Sequence, residues 1–300
     1  MTMTTSPFTF QLIPLGHGGI APCASCARGA ADAAGQTPPA PRPSEDILAD
    51  INALPAAAHD VAFGGFEPFD HPELPRLIAA ATERAGARRL LLQTDGGALS
   101  RGGNAEGAVL AGARVFEIFY HAGDDDADDA LTGQPGLAAA RQAGASALRR
   151  VAAAYPEAHL MVCGVAALCR HGGRGAALPA IAQAAARDGL DALRIEAQPG
   201  AAPDATQLAA AAEILIPAGI WLFGDGCDEL PAGAAPYQLA VCQGDGCAVR
   251  QGDGSSVSSK ALLARTLRHE TEEPSPCLTD PCLTAHPSPC VPDSPTGRPS

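Results

Sequence analysis

The strongest constraint on this chain is a rhythm. Short apolar runs with the length of strands alternate with alanine-rich, helix-patterned segments about seven times over the first 225 residues. The strand-like runs are "FTFQLIPL" (8–15), "HDVAFGG" (59–65), "ARRLLLQTDGG" (87–97), "RVFEIFYHAG" (114–123), "EAHLMVCGV" (157–165), "LDALRIEAQ" (190–198) and "IWLFGD" (220–225). Between them lie "EDILADINAL" with Ser44 as its expected cap, "HPELPRLIAAATERAG" ended by Gly86, "AEGAVLAGA", "GLAAARQAGASALRRVAAAYP", "GAALPAIAQAAARDG" and "APDATQLAAAAEILIPAG". Such alternation implies a parallel sheet with right-handed crossovers. The expected fold is α/β, a partial or complete (β/α) barrel of parallel strands with outer helices. In such folds the chemistry sits at the carboxyl ends of the strands. The segments that fall there are the loop holding Cys23 and Cys26, then "GGFEPFD", "TDGG" and "YHAGDDD".

Composition narrows the class further. Apolar residues make up 46% of the 300, enough for a sizeable core, while the net charge of −13 argues against a phosphate-backbone binder. The most apolar stretch, 212–223, is short for a bilayer and contains Pro217. No charged start leads into a long apolar run, so no secretory signal is expected and the chain reads as cytoplasmic, without nucleic-acid or membrane partners. Alanine is abundant because of an evident bias towards Ala, Gly, Arg and Pro (Lys260 is the only lysine), which weakens any helix expectation resting on alanine alone. Three regions are expected: a barrel over 1–225, a looser cysteine-containing extension over 226–269 in which "YQLAVC" forms part of a hairpin, and a disordered Pro/Ser/Thr-rich tail over 270–300.

The run "VAFGGFEPFDHPELPRLI" (61–78) carries the most chemical information. A strand ends in two glycines, Glu67-Pro68 follows, and a helix opens. Glycines admit a ligand close to the backbone, and a glutamate there can hold a cationic amino group. The plain alternative is an ordinary strand-to-helix turn, which glycine also favours.

This run resembles the "GGEP" region of the radical S-adenosylmethionine (radical SAM) superfamily. "RRLLLQTDGGALS" (88–100) is similar to that family's next landmark, a strand ending in "TNG", with Asp95 where asparagine is usual. "GARVFEIFYHAGDDDADDALTGQPGLAAARQAGASAL" (112–148) resembles the fourth-strand region, whose acidic segment opens a long helix. The likeness covers about residues 8 to 200. It implies a 4Fe-4S cluster, with S-adenosyl-L-methionine on its open iron, an electron donor, and hydrogen abstraction by a deoxyadenosyl radical from a peptide or small organic substrate. Gly64, Gly65, Glu67 and Pro68 would then cradle the methionyl amino group, and Thr94, Asp95 and Gly96 would line the methionine side.

The family places C-x3-C-x2-C in the loop after its first strand. Here Cys23 and Cys26 match the last two positions, and Gly19 stands at the first. Phe66 also separates the glycines from Glu67, and Ser25 precedes Cys26 where an aromatic residue is usual. Three readings of "PCASC" stand open. A cluster forms with a substitute third ligand, for which His17 is a candidate in the same loop and Cys163 another, expected at a strand's carboxyl end. Alternatively the cluster is lost and the barrel acts as a binding or scaffold partner. In the third, the pair is a thioredoxin-type redox motif, which the poor helix propensity of the following residues disfavours.

The remaining motifs have plain readings. Cys163, Cys169 and His171 suit a buried hydrophobe and a loop better than a metal site. Cys227, Cys242 and Cys247 could bind an auxiliary cluster or zinc but are one ligand short of a closed site. The acid run 124–129 reads as a solvated loop or helix start, and Trp221 as core. Cys277, Cys282 and Cys290 have no assigned role.

Overall fold

Alternating residues along each strand divide between two faces, and the division sets the architecture. In this computed structural model the described residues are 9–16, 40–54, 60–84, 87, 89–168, 177–197, 201–225, 235–236, 238–243, 246–250 and 256–258. They belong to one compact unit, Met1–Ser259; the unit Lys260–Ser300, which holds the tail cysteines, lies outside them. Seven strands run parallel in sequence order: β1 (Thr9–Pro14), β2 (Asp60–Gly64), β3 (Arg89–Thr94), β4 (Val115–Tyr120), β5 (Met161–Leu168), β6 (Ala192–Ala197) and β7 (Trp221–Asp225). Between them lie α1 (Ser44–Ala53), α2 (Leu74–Arg84), α3 (Asn104–Ala111), α4 (Asp125–Thr132), α5 (Leu137–Ala154), α6 (Leu178–Arg187) and α7 (Ala205–Leu215). Parallel neighbours require crossovers of this length, so the strand order follows from the connections.

One face of the sheet carries Phe63, Leu90, Leu92, Phe116, Ile118, Val162, Leu193 and Ile195, buried in a single cluster with Leu77, Ile78, Leu148, Ile181 and Leu208 of the helices. The other face carries Phe10, Leu12, Ala62, Leu91, Val115, Cys163 and Ala192, which form a separate apolar layer on the inner side. Both faces are apolar, so the strands read as near-continuous apolar runs and the period of two that divides them comes from the pleat.

At one edge, the two-residue strand β8 (Ala235–Pro236) adds in parallel to β7. At the other, β9 (Gln238–Gln243) runs parallel to β1 and turns back through β10 (Gly246–Arg250) to β11 (Ser256–Ser258). The expected hairpin around "YQLAVC" is therefore present, stitched to the first strand. The strand order runs from β11 to β8, and since β8 and β9 are separated by residue 237 alone, the run 235–243 pairs first with β7 and then with β1 and brings the two ends of the parallel series together. The fold is a partial (β/α) barrel.

Several expectations are corrected. Ser44 is the first residue of α1 and Pro43 precedes it, without a side-chain cap. Trp221 is 55% exposed rather than core, because it opens β7 at the edge of the packed region. The acid run does start a helix, with Asp124 accepting from the Ala127 amide at 2.9 Å, yet Asp128 is fully buried instead of solvated. Cys163 is the third residue of β5, in its amino half, because that strand continues to Leu168. It lies in the inner apolar layer, and burial pushes its thiol well up from the ordinary value. A buried thiol of this kind is a packing residue, not a ligand at the strand ends.

Candidate site at the carboxyl ends of the strands

The strand β2 ends at Gly64, and the chain turns through Gly65, whose φ of 72° lies in the left-handed region that glycine tolerates. Glu67 then caps a single 3-10 turn, Pro68–Asp70, its carboxylate accepting from the Phe69 amide at 3.3 Å. Pro68 fits the first position of that turn because its missing N–H would have no partner there. The same carboxylate reaches the end of β3. The Thr94 hydroxyl lies 2.8 and 3.0 Å from its two oxygens, and the Asp95 amide donates to Oε2 at 2.8 Å. Gly96 N donates to Thr94 Oγ1 at 3.0 Å, and Gly97 N to Asp95 Oδ1 at 2.9 Å. Residues 27 or more positions apart thus form one knot across the ends of two neighbouring strands.

Glu67 is 2% exposed and Asp95 is also buried. Burial pushes the Glu67 carboxyl well above the usual carboxylate range, and the charge of Asp95 pushes the same way. The hydrogen bonds from Asp95, Thr94 and Phe69 oppose this and do not overcome it. No described basic side chain bonds to either acid. A buried acid pair without a cation is a costly arrangement that a cationic ligand would relieve.

The glycines have distinct reasons. A Cβ on Gly64 would sit 2.1 Å from Gln93 Oε1, so that glycine makes room for a side chain of the protein itself. Gly96, at φ 84°, packs against Ile118 and Arg141, and a Cβ on Gly144 of α5 would fall 2.4 Å from Gly96 O. Helix α5 therefore presses directly on the turn that follows β3. Gly144→Val is expected to lower stability by about 1–3 kcal/mol, as overpacking does, measured by urea unfolding; an unchanged midpoint would mean the helix is not seated on this turn.

The turn after β4 is fixed from behind. Asp128 Oδ2 accepts from the His121 and Ala122 amides at 3.1 and 3.2 Å. Arg141 holds Asp128 with two bonds, of 3.1 and 2.8 Å, and donates to Phe119 O at 3.0 Å. Its guanidinium carbon lies 4.3 Å from the centre of the Tyr120 ring.

On the inner face, one strand position above the apolar layer, a polar network joins three strands. Gln93 Nε2 donates to Glu117 Oε2 at 2.9 Å. Arg194 grips both oxygens of Glu117, Nε to Oε1 at 2.9 Å and Nη2 to Oε2 at 3.0 Å, and reaches Glu196 at 2.9 Å. Glu117 and Arg194 are 1% and 2% exposed. These residues were missed in the sequence. The available signal was a lone charge alternating with apolar residues in "VFEIFY" and "LRIEA".

Of the proposed site residues, Gly64, Gly65, Glu67, Pro68, Thr94, Asp95 and Gly96 all lie at the ends of β2 and β3. His17, Gly19, Cys23, Cys26, Cys169, His171 and Cys227 lie outside the described residues. Among the described residues no group of three His, Cys, Asp or Glu is placed to hold a metal ion, and no helix is long and apolar enough to cross a membrane.

Fold and site together define a partial (β/α) barrel with a buried acid pair where its second and third strands end. No family model matches the chain, and no curated protein matches it. Among solved structures, methylornithine synthase (PylB) superposes with a TM-score of 0.53 over 89% of this chain and 83% of that one, at 13% identity. SuiB of Streptococcus suis, bound to its precursor peptide SuiA, gives 0.47 over 79% and 58% at 11% identity. Type I 3-dehydroquinate dehydratase from Clostridium difficile gives 0.46 over 76% and 88% at 12% identity. At such identities the likeness to methylornithine synthase establishes a shared fold.

Proposed function

We propose that this chain is a divergent radical SAM protein that binds S-adenosyl-L-methionine at the ends of β2 and β3 and an iron–sulfur cluster in the loop after β1. The observation that carries this reading is the buried pair Glu67 and Asp95, which has no described basic partner. A methionyl ammonium group is a cation of suitable size and hydrogen-bonding capacity to pair with it, so the donor set fits the cofactor. Cys23 and Cys26, with His17 as candidate third ligand, would hold the cluster. When bound, cluster and cofactor supply one-electron radical chemistry to a peptide or small organic substrate, given an electron donor. The protein's own part is to fix the amino group against Glu67 and to hold the β3 turn through Thr94 and Gly96.

A second reading is favoured by two observations. Glu67 already accepts from three donors, and Gln93 fills the space over Gly64. With Gly19 in place of a cluster cysteine, these suit a barrel that keeps its fold and acts as a binding or scaffold partner. The deciding experiment is anaerobic purification, reconstitution with iron and sulfide, and electron paramagnetic resonance with and without S-adenosyl-L-methionine. The first reading expects a reducible four-iron signal perturbed by the cofactor and weakened by Cys23→Ser. A protein that retains no iron and binds no cofactor supports the second.

A further inference from the structure

Antiparallel pairing of β9 with β10 sets Cys247 directly opposite Cys242. The two strands are joined by residues 244 and 245 alone, and Gln243 pairs with Gly246 next to that connection. Directly opposed residues of an antiparallel ladder share one face of the sheet, with Cα atoms about 4.5–5.5 Å apart. Disulfide-linked cysteines have Cα atoms about 4.4–6.8 Å apart. We propose that Cys242 and Cys247 form a reversible thiol–disulfide couple that cross-links the hairpin lying along β1. Two cysteines in this register are sufficient for that chemistry, whereas a closed metal site needs four ligands and the extension offers one more cysteine, Cys227.

The oxidant is a small-molecule disulfide such as glutathione disulfide. One cysteine thiolate attacks it, forming a mixed disulfide and releasing one glutathione thiolate. The second cysteine thiolate then attacks the mixed disulfide and releases the other glutathione. The pair gives up two electrons and two protons, and glutathione disulfide becomes two glutathione thiols. The consequence is structural, because β9 pairs with β1 from Thr9 to Leu12, the strand leading into the loop of Cys23 and Cys26. Oxidation ties β10 to β9, the strand that pairs with β1.

The full chain is equilibrated anaerobically in glutathione buffers of rising oxidised fraction, quenched with acid and alkylated. Cleavage before aspartate separates the two cysteines, since Asp245 lies between them, and Cys227 falls on a different fragment, 225–227. The expected result is a disulfide-linked pair of fragments, 228–244 with 245–252, rising with the oxidised fraction and returning to two alkylated fragments with dithiothreitol. Cys242→Ser abolishes the linked pair and leaves Cys247 alkylated. Full alkylation of both cysteines at every ratio overturns the proposal. So does linkage of either to another cysteine, or protection from alkylation that a chelator removes together with bound zinc or iron. The readout is a mass, independent of whether the chain binds S-adenosyl-L-methionine.

Discussion

Replacing Arg194 with methionine is expected to destabilise the fold by about 3–5 kcal/mol, the range seen when one partner of a buried ion pair is removed. Methionine fills the volume of the arginine stem, so little of the loss comes from a cavity. The loss comes from Glu117, left on the inner face without its cation and with Gln93 as its remaining described donor. A second substitution separates charge from packing. Adding Glu117→Gln to Arg194→Met removes the stranded carboxylate and keeps a partner for Gln93, so the double variant is expected to recover much of the loss. Urea unfolding of the two single variants, the double variant and the parent forms a thermodynamic cycle whose coupling should be large. Additive losses would show that the two side chains act independently, contrary to the bonds of 2.9 and 3.0 Å between them.

The second large effect concerns the pH dependence introduced by Glu67. Its carboxyl is held above the ordinary value of 4.5, chiefly by burial and then by Asp95. In the unfolded chain the group loses its proton near that ordinary value, while the folded protein retains it to higher pH. Between those points the folded state binds more protons, so stability falls as pH rises. The loss approaches about 1.4 kcal/mol per pH unit within that window and ceases above the folded value. Glu67→Gln is expected to flatten this part of the profile, measured as unfolding free energy against pH above 4.5. A cation delivered to the acid pair reverses the cause of the shift. Binding of S-adenosyl-L-methionine below the folded value should therefore release a proton, seen as a heat that varies with the ionisation enthalpy of the buffer. A parent profile as flat as that of the variant would mean that the Thr94, Asp95 and Phe69 hydrogen bonds hold the group ionised without a ligand.

How much of this could be read in the sequence depended on whether the signal was local. Strand-to-helix alternation is a local property, so all seven parallel strands were legible, whereas the division of their residues between two faces was not, because β3 and β4 are buried almost throughout. The hairpin at 238–250 followed from a strand-like run beside a glycine-rich turn. Cys163 was placed at the wrong end of β5 because nothing in "MVCGVAAL" marks where pairing stops; its end follows the neighbours β4 and β6. Trp221 was assigned to the core because it stands on an apolar strand, which does not say that the strand's first position is left uncovered. The bond from Arg194 to Glu117 spans 77 positions, and Asp128 found its partner one helix later, in Arg141. Neither pairing leaves a trace in composition or spacing. The knot around Glu67 was half legible: the turn residues stood out, while the contact across to Thr94 depends on the register of β2 against β3.

That register has a mechanical consequence. Gln93 and Thr94 are consecutive, yet one is tied to the inner network through Glu117 and the other to the rim through Glu67. A single peptide unit therefore links the rim to the inner network, and displacement of Glu67 from Thr94 by a ligand is expected to appear inside the barrel as a change in the amide signal of Gln93.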